Sequence, residues 1–100
     1  MKLVDSARVL RSKNAGPLQV TIDIMFETAD AYALAARSPA LAAAAIAKRY
    51  GVEPGSVEVI LVPPARAIKI NLPRTIVAGT PGDRDVYGAQ QHRALLDLEL

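Results

Sequence analysis

"LQVTIDIMF", residues 18–26, alternates without a break: Leu18, Val20, Ile22, Ile24 and Phe26 fall on one side, Gln19, Thr21, Asp23 and Met25 on the other. A period of two is what a half-buried strand requires. Whatever lies on either side of this strand in the chain must therefore pair with it or cover its apolar side.

Downstream, Thr28 is placed to cap a helix, with Asp30 in the first turn where the helix dipole favours an anion. "ADAYALAAR" (29–37) follows as a short helix and "SPALAAAAIAKRYG" (38–51) as a stronger one. Ser38 is its cap and Pro39 its first helical position; Lys48 and Arg49 close the last turn and Gly51 suits a left-handed stop. Its many alanines let it lie close to a sheet. "SVEVILV" (56–62) reads as a strand with Val57, Val59 and Leu61 on one face and Ile60 and Val62 on the other, which predicts cover on both faces. "RAIKINLP" (66–73) is a further strand, with Ile68, Ile70 and Leu72 inward and Lys69 and Asn71 outward. The two form a hairpin connected through 63–66.

Upstream, "LVDSARVLRSKN" (3–14) mixes helical spacing at Val4 and Ala7 with strand alternation at Ala7 and Val9. It reads as a short first strand running into a polar loop, "RSKNAGP" (11–17), where Asn14, Gly16 and Pro17 are turn formers. At the other end, "LLDLEL" (95–100) alternates as an edge strand, with a loop or short helix near 84–91 before it. The order is β, β, α, α, β, β, loop or short helix, β. It predicts one α+β domain over residues 1–100, with a largely antiparallel sheet of four to five strands and two helices on one face. A two-layer domain that dimerises through its exposed sheet face is the alternative arrangement.

Composition narrows the function classes. At 51% hydrophobic and 22% charged the chain carries enough apolar material to fold, while the 4% of aromatic residues leaves the core to Val, Ile, Leu and Ala. The absence of cysteine excludes disulfides, thiolate metal sites and cysteine nucleophiles, and points to the cytoplasm. The opening "MKLVDSARVLRSKN" is interrupted by Asp5, Arg8 and Arg11, so it is no signal-peptide core, and no stretch approaches a membrane span. A net charge of +2 from scattered basic residues is too weak for a nucleic-acid footprint.

Two polar stretches carry candidate chemistry. "GTPGDRDVYGAQQH" (79–92) holds the chain's single histidine. Pro81-Gly82 makes a turn and Asp83 can cap a short helix, which is structural duty enough for both. On a helix over 84–91, Arg84, Tyr87 and Gln91 share a face, and Asp85 and His92 are two turns apart on one side. An Asp orienting an imidazole beside a Tyr and an Arg can bind a carboxylate or move a proton, so His92, Asp85 and Tyr87 are the candidate acid–base set, with Arg84, Gln90 and Gln91 as binding groups. The competing reading is a solvated surface segment. One histidine without a second imidazole or thiolate argues against a metal, and no cofactor motif is present. In the second stretch, the consecutive donors Arg11, Ser12, Lys13 and Asn14 can converge on an anion from a strand-to-loop transition, against a basic turn that merely keeps an edge soluble. Arg74, after Pro73, is expected to face solvent.

"RSKNAGP", the late "PGDxDVYGAQQH" pattern and the closing "LLDLEL" resemble a bacterial and archaeal family of small proteins classed as a domain of unknown function. The likeness spans nearly the whole chain. Its members look like companions of the acyclic terpene utilisation (AtuA-like) proteins, whose small C-terminal domain opens with a strand leading to a similar turn. The resemblance implies a ferredoxin-like two-layer sandwich and a role as the small subunit of a catabolic enzyme, with the larger AtuA-like protein as partner. It brings no catalytic residues with it.

Three functional readings follow. The first is an accessory domain or small subunit acting on small carboxylate or acyl compounds, which lends the turn 11–14 and the motif 81–92 as one polar wall of a shared site. The second is a self-sufficient homo-oligomeric lyase or isomerase using His92 as acid/base. The third is a non-catalytic ligand-binding regulatory module. The first two need the early and late stretches to meet.

Overall fold

A computed structural model of the chain describes residues 2–16, 18–74, 95 and 98–100. A single helical turn, α1 (Leu3–Ser6), leads straight into β1 (Ala7–Asn14). Then follow β2 (Gln19–Phe26), α2 (Ala29–Ala36), α3 (Ala43–Tyr50), β3 (Glu58–Val62) and β4 (Ala67–Pro73). The four strands form one sheet in the order β1-β2-β4-β3, every pair antiparallel.

The fold is α+β, as the order of strands and helices predicts, but it is not ferredoxin-like. A ferredoxin-like fold needs a helix between its first two strands. Here β1 and β2 are separated by four residues, too few for a crossover, so they pair as a hairpin. Both main helices fall between β2 and β3, and β3–β4 is a second hairpin. Its connection is a short 3₁₀ turn over Pro63–Ala65 followed by Arg66 in the left-handed region at φ 51°. The ferredoxin-like expectation came with the resemblance. Of the order read from the residues themselves, β, β, α, α, β, β, loop or short helix, β, the first six elements are observed as β1 to β4 with α2 and α3 between the two hairpins. The α1 turn is an addition, and the loop or short helix near 84–91 lies outside the described residues.

The core lies between the sheet and the helices. Val20, Ile22, Ile24 and Phe26 of β2 and Ile68, Ile70 and Leu72 of β4 are buried together with Ala35, Leu41, Ile46 and Ala47 of the helical layer. Tyr32 of α2 meets Phe26 edge-on, ring centroids 6.4 Å apart, fixing the helix over one end of β2. Thr28 caps α2, its side chain accepting from the Ala31 amide. The second helix does not run unbroken from Ser38. A 3₁₀ turn over Pro39–Leu41, with the Ser38 hydroxyl accepting from the Ala40 amide, precedes α3. Gly51 then ends α3 in the left-handed conformation at φ 69°. Burial holds the Tyr50 hydroxyl above the usual phenol range, opposed in part by the Arg49 cation.

Three further expectations change. β1 is longer than its apolar signal, because pairing with β2 carries the strand through Asn14; Arg11, Ser12, Lys13 and Asn14 are strand residues rather than a loop. β3 is not covered on both faces: Ile60 and Leu61, on opposite faces, remain 37% and 47% exposed, and among the described residues the strand stands at the sheet's edge. The terminal residues make an isolated antiparallel bridge, Lys2 with Glu99, where a strand was expected. Leu95 and Leu98 are buried in the core, and the Leu98 carbonyl accepts from the Leu3 amide at 2.8 Å. Among the described residues no helix is long and apolar enough to cross a membrane.

Candidate functional site on the helix-free face of the sheet

Strand periodicity splits the early basic cluster in two. Opposite Ile22 and Val20, Ser12 and Asn14 point to the helix side; opposite Asp23 and Thr21, Arg11 and Lys13 point to the other side, which carries no helix among the described residues and is in that sense the helix-free side. Four consecutive donors in a strand therefore cannot converge on one anion. Arg11 and Lys13 instead join residues from the other strands.

The register lays these residues out in rows across the helix-free face. One row runs Arg11, Asp23, Lys69, Ile60 across β1, β2, β4 and β3, and the next runs Lys13, Thr21, Asn71, Glu58. Directly opposed residues on one face have Cβ atoms about 5 Å apart, so each row is a line of touching neighbours. In the first row Asp23 is only 5% exposed between two cations, and its Oδ2 is 3.6 Å from Arg11 Nε. In the second row the Thr21 hydroxyl donates to Asn71 Oδ1 at 2.7 Å, and Asn71 Nδ2 donates to Glu58 Oε1 at 3.0 Å. That chain fixes the orientation of the Asn71 amide and satisfies the half-buried polar groups of the sheet centre.

Between the rows lies a depression of about 500 Å³ bounded by Lys13, Thr21, Asn71, Glu58, Lys69 and Ile60. A second, of about 300 Å³, lies beyond Lys13 and Lys69 against Arg11 and Asp23. Lys13 and Lys69 border both. With three cations against two acids among the described residues of the two rows, the face favours an anion, and Asn71 and Thr21 add neutral groups that can orient it. Among the described residues no three His, Cys, Asp or Glu side chains gather to hold a metal.

Of the residues singled out from sequence, Arg11 and Lys13 reach this face and Ser12 and Asn14 are on the other. Arg84, Asp85, Tyr87, Gln90, Gln91 and His92 lie outside the described residues. Sequence reasoning passed over Asp23, Asn71, Lys69 and Glu58. The available signal was Asp23 itself, an acid in the middle of the most regularly alternating strand. It also placed Arg74 in solvent, whereas Arg74 is only 8% exposed: its guanidinium donates to Asn14 Oδ1 at 2.6 Å and its amide to the Leu18 carbonyl at 2.9 Å.

Comparison with known proteins agrees with the likeness read from the motifs. The family described as domain of unknown function (DUF4387) matches residues 3–99. The chain belongs to that family. No curated protein and no solved structure matches the DUF4387 chain, so the tie to acyclic terpene utilisation proteins stands on the resemblance alone.

Proposed function

We propose that this protein is an accessory domain that binds the carboxylate end of a small acyl or carboxylic compound on the helix-free face of its sheet, beside a larger partner that supplies the reacting groups. The observation that carries the reading is the pair Lys13 and Lys69 flanking the Thr21–Asn71–Glu58 hydrogen-bond chain at one depression. Lysine ammonium groups supply charge; the fixed Asn71 amide supplies direction. The depression lies on a sheet surface, which suits one wall of a shared site better than an enclosed reaction chamber. Arg84, Gln90 and Gln91 are proposed to belong to the same wall. A cytoplasmic catabolic complex, with an AtuA-like larger subunit, is the setting that the reading implies.

A thermal-shift titration with succinate and with its uncharged diamide tests it. Ligand that binds only the folded state raises the melting temperature by mass action. Succinate is expected to do so in the native protein, the diamide is not, and the Lys13→Gln/Lys69→Gln double variant is expected to lose the response. An equal response in the double variant overturns the assignment.

A further inference from the structure

We infer that β3 pairs antiparallel with β3 of a second copy, centred on Ile60, so that two chains form one continuous eight-stranded sheet. Among the described residues β3 has a single strand neighbour, β4, so its outer edge presents a row of backbone donors and acceptors. Sheet proteins guard such an edge with charged side chains, lysine above all, with proline, or with a bulge. In Glu58–Val62 the one charge, Glu58, stands at the end; the central residues are Val59, Ile60 and Leu61, there is no proline within the strand, and β3 and β4 pair without a register shift. Among the described residues, Ile60 and Leu61 are also the two adjacent members of the exposed large hydrophobic set, and they emerge on opposite faces of this one strand.

The five residues are self-complementary. A strand paired antiparallel with itself is related by a two-fold axis, so the contact is isologous and closes as a dimer. Centred on Ile60, the register sets Ile60 against its own copy, Val59 against Leu61 and Glu58 against Val62. Apolar residues meet at the three central positions, and no charge faces a like charge. The centre stays at Ile60 whether odd or even residues of β3 direct their amides outward, so the register does not depend on that phase. Pro63, which lacks an amide hydrogen, ends the ladder at either side.

The two-fold axis stands perpendicular to the sheet, which leaves both helix-free faces on the same side. Ile60 and Glu58 border the depression beside Lys69, so the neighbouring copy's β3 extends that wall. The two Lys69 residues lie three strand spacings apart, about 14 Å. This dimer goes beyond the carboxylate-binding reading, and each stands if the other fails.

Sedimentation equilibrium of the native protein, with Ile60→Lys and Ile60→Cys variants, tests the pairing. The chain has no cysteine of its own, so the Ile60→Cys variant reports one position only. Residues opposed on antiparallel strands have Cα atoms about 5 Å apart, within disulfide reach. The expected results are a dimer at tens of micromolar, a monomer with unchanged circular dichroism for Ile60→Lys, and a covalent dimer from Ile60→Cys under mild oxidation, with none from Leu18→Cys. If Ile60→Lys fails to fold, the cysteine pair and the native mass still decide. A native monomer, or a dimer in which Ile60→Cys does not cross-link, overturns the inference.

Discussion

The Arg74 guanidinium donates to Asn14 Oδ1 at 2.6 Å, joining two residues sixty apart and tying the end of β4 to the end of β1. Arg74 is 8% exposed, so the bond is made where water competes poorly. A buried hydrogen bond to a charged group contributes roughly 1.5–3 kcal/mol. Arg74→Ala is expected to cost about 2–3 kcal/mol in urea unfolding. In an Asn14→Ala background it should cost less, because part of that loss has already been taken. Additive losses would show that Asn14 and Arg74 act independently.

Ile22 and Ile70 oppose each other across β2 and β4, and both are fully buried. Truncating either to alanine leaves a cavity in the sheet–helix core, at a cost of about 2–5 kcal/mol. Lys69→Ala, one residue away but on the helix-free face, is expected to stay within about 0.5 kcal/mol. Denaturant midpoints of the three variants check the assignment of the two sides of the sheet.

That two-sidedness was legible in the sequence wherever apolar residues alternate with polar ones. Val20, Ile22 and Ile24, and Ile68, Ile70 and Leu72, fixed β2 and β4 and the side that the helices cover. Thr28 and Gly51 marked helix boundaries, and Ser38 the start of the 3₁₀ turn ahead of α3, through cap chemistry that acts locally. Arg11 to Asn14 gave no such signal: four polar residues look alike in a loop and in a strand, and only pairing with β2 decides. In β3, apolar residues on both faces are as compatible with an uncovered edge as with a doubly covered centre. Burial of Arg74 was invisible because its partner, Asn14, is so distant in the chain. The candidate site was half legible for the same reason, since its rows exist only once four strands are placed side by side.

Gly51 ends α3 at φ 69°, a conformation that costs a residue with a Cβ atom about 1 kcal/mol. Beyond its two chain neighbours, nothing lies within 4 Å of where that Cβ would be, so the penalty is conformational. Gly51→Ala is expected to lower stability by about 1 kcal/mol, and Gly51→Asn by less. Thermal unfolding of both variants separates backbone strain from a clash, which would instead penalise asparagine more.

Tyr50 gives the fold an alkaline limit. Its folded-state hydroxyl titrates above the value of about 10 expected in the unfolded chain. As pH rises through 10 the unfolded state loses a proton that the folded state keeps. Stability from this group is therefore full below pH 10 and declines above it, by at most about 1.4 kcal/mol per pH unit and less for the part of the ring that solvent reaches. Urea midpoints between pH 9 and 11 should fall in the native protein and flatten in Tyr50→Phe. An equal slope in both would assign the alkaline loss to other groups.

The Arg11–Asp23 pair tests the balance of charge on the helix-free face. The Arg11 side chain is 62% exposed, so the pair stabilises the fold by less than about 1 kcal/mol. Arg11→Ala should leave the unfolding midpoint nearly unchanged while weakening anion binding, more visibly at low salt than at high. Calorimetric titration with succinate at two ionic strengths measures this.

The most direct measurement of the central claim is a residue-resolved NMR titration of the native protein with succinate. Saturable amide shifts are predicted at Lys13, Glu58, Ile60, Lys69 and Asn71, with the helix-side residues Ala35, Ile46 and Ala47 unmoved, and with the shifts abolished by Lys13→Gln/Lys69→Gln. Saturable shifts confined to the helical layer, or shifts unchanged in the double variant, would contradict it.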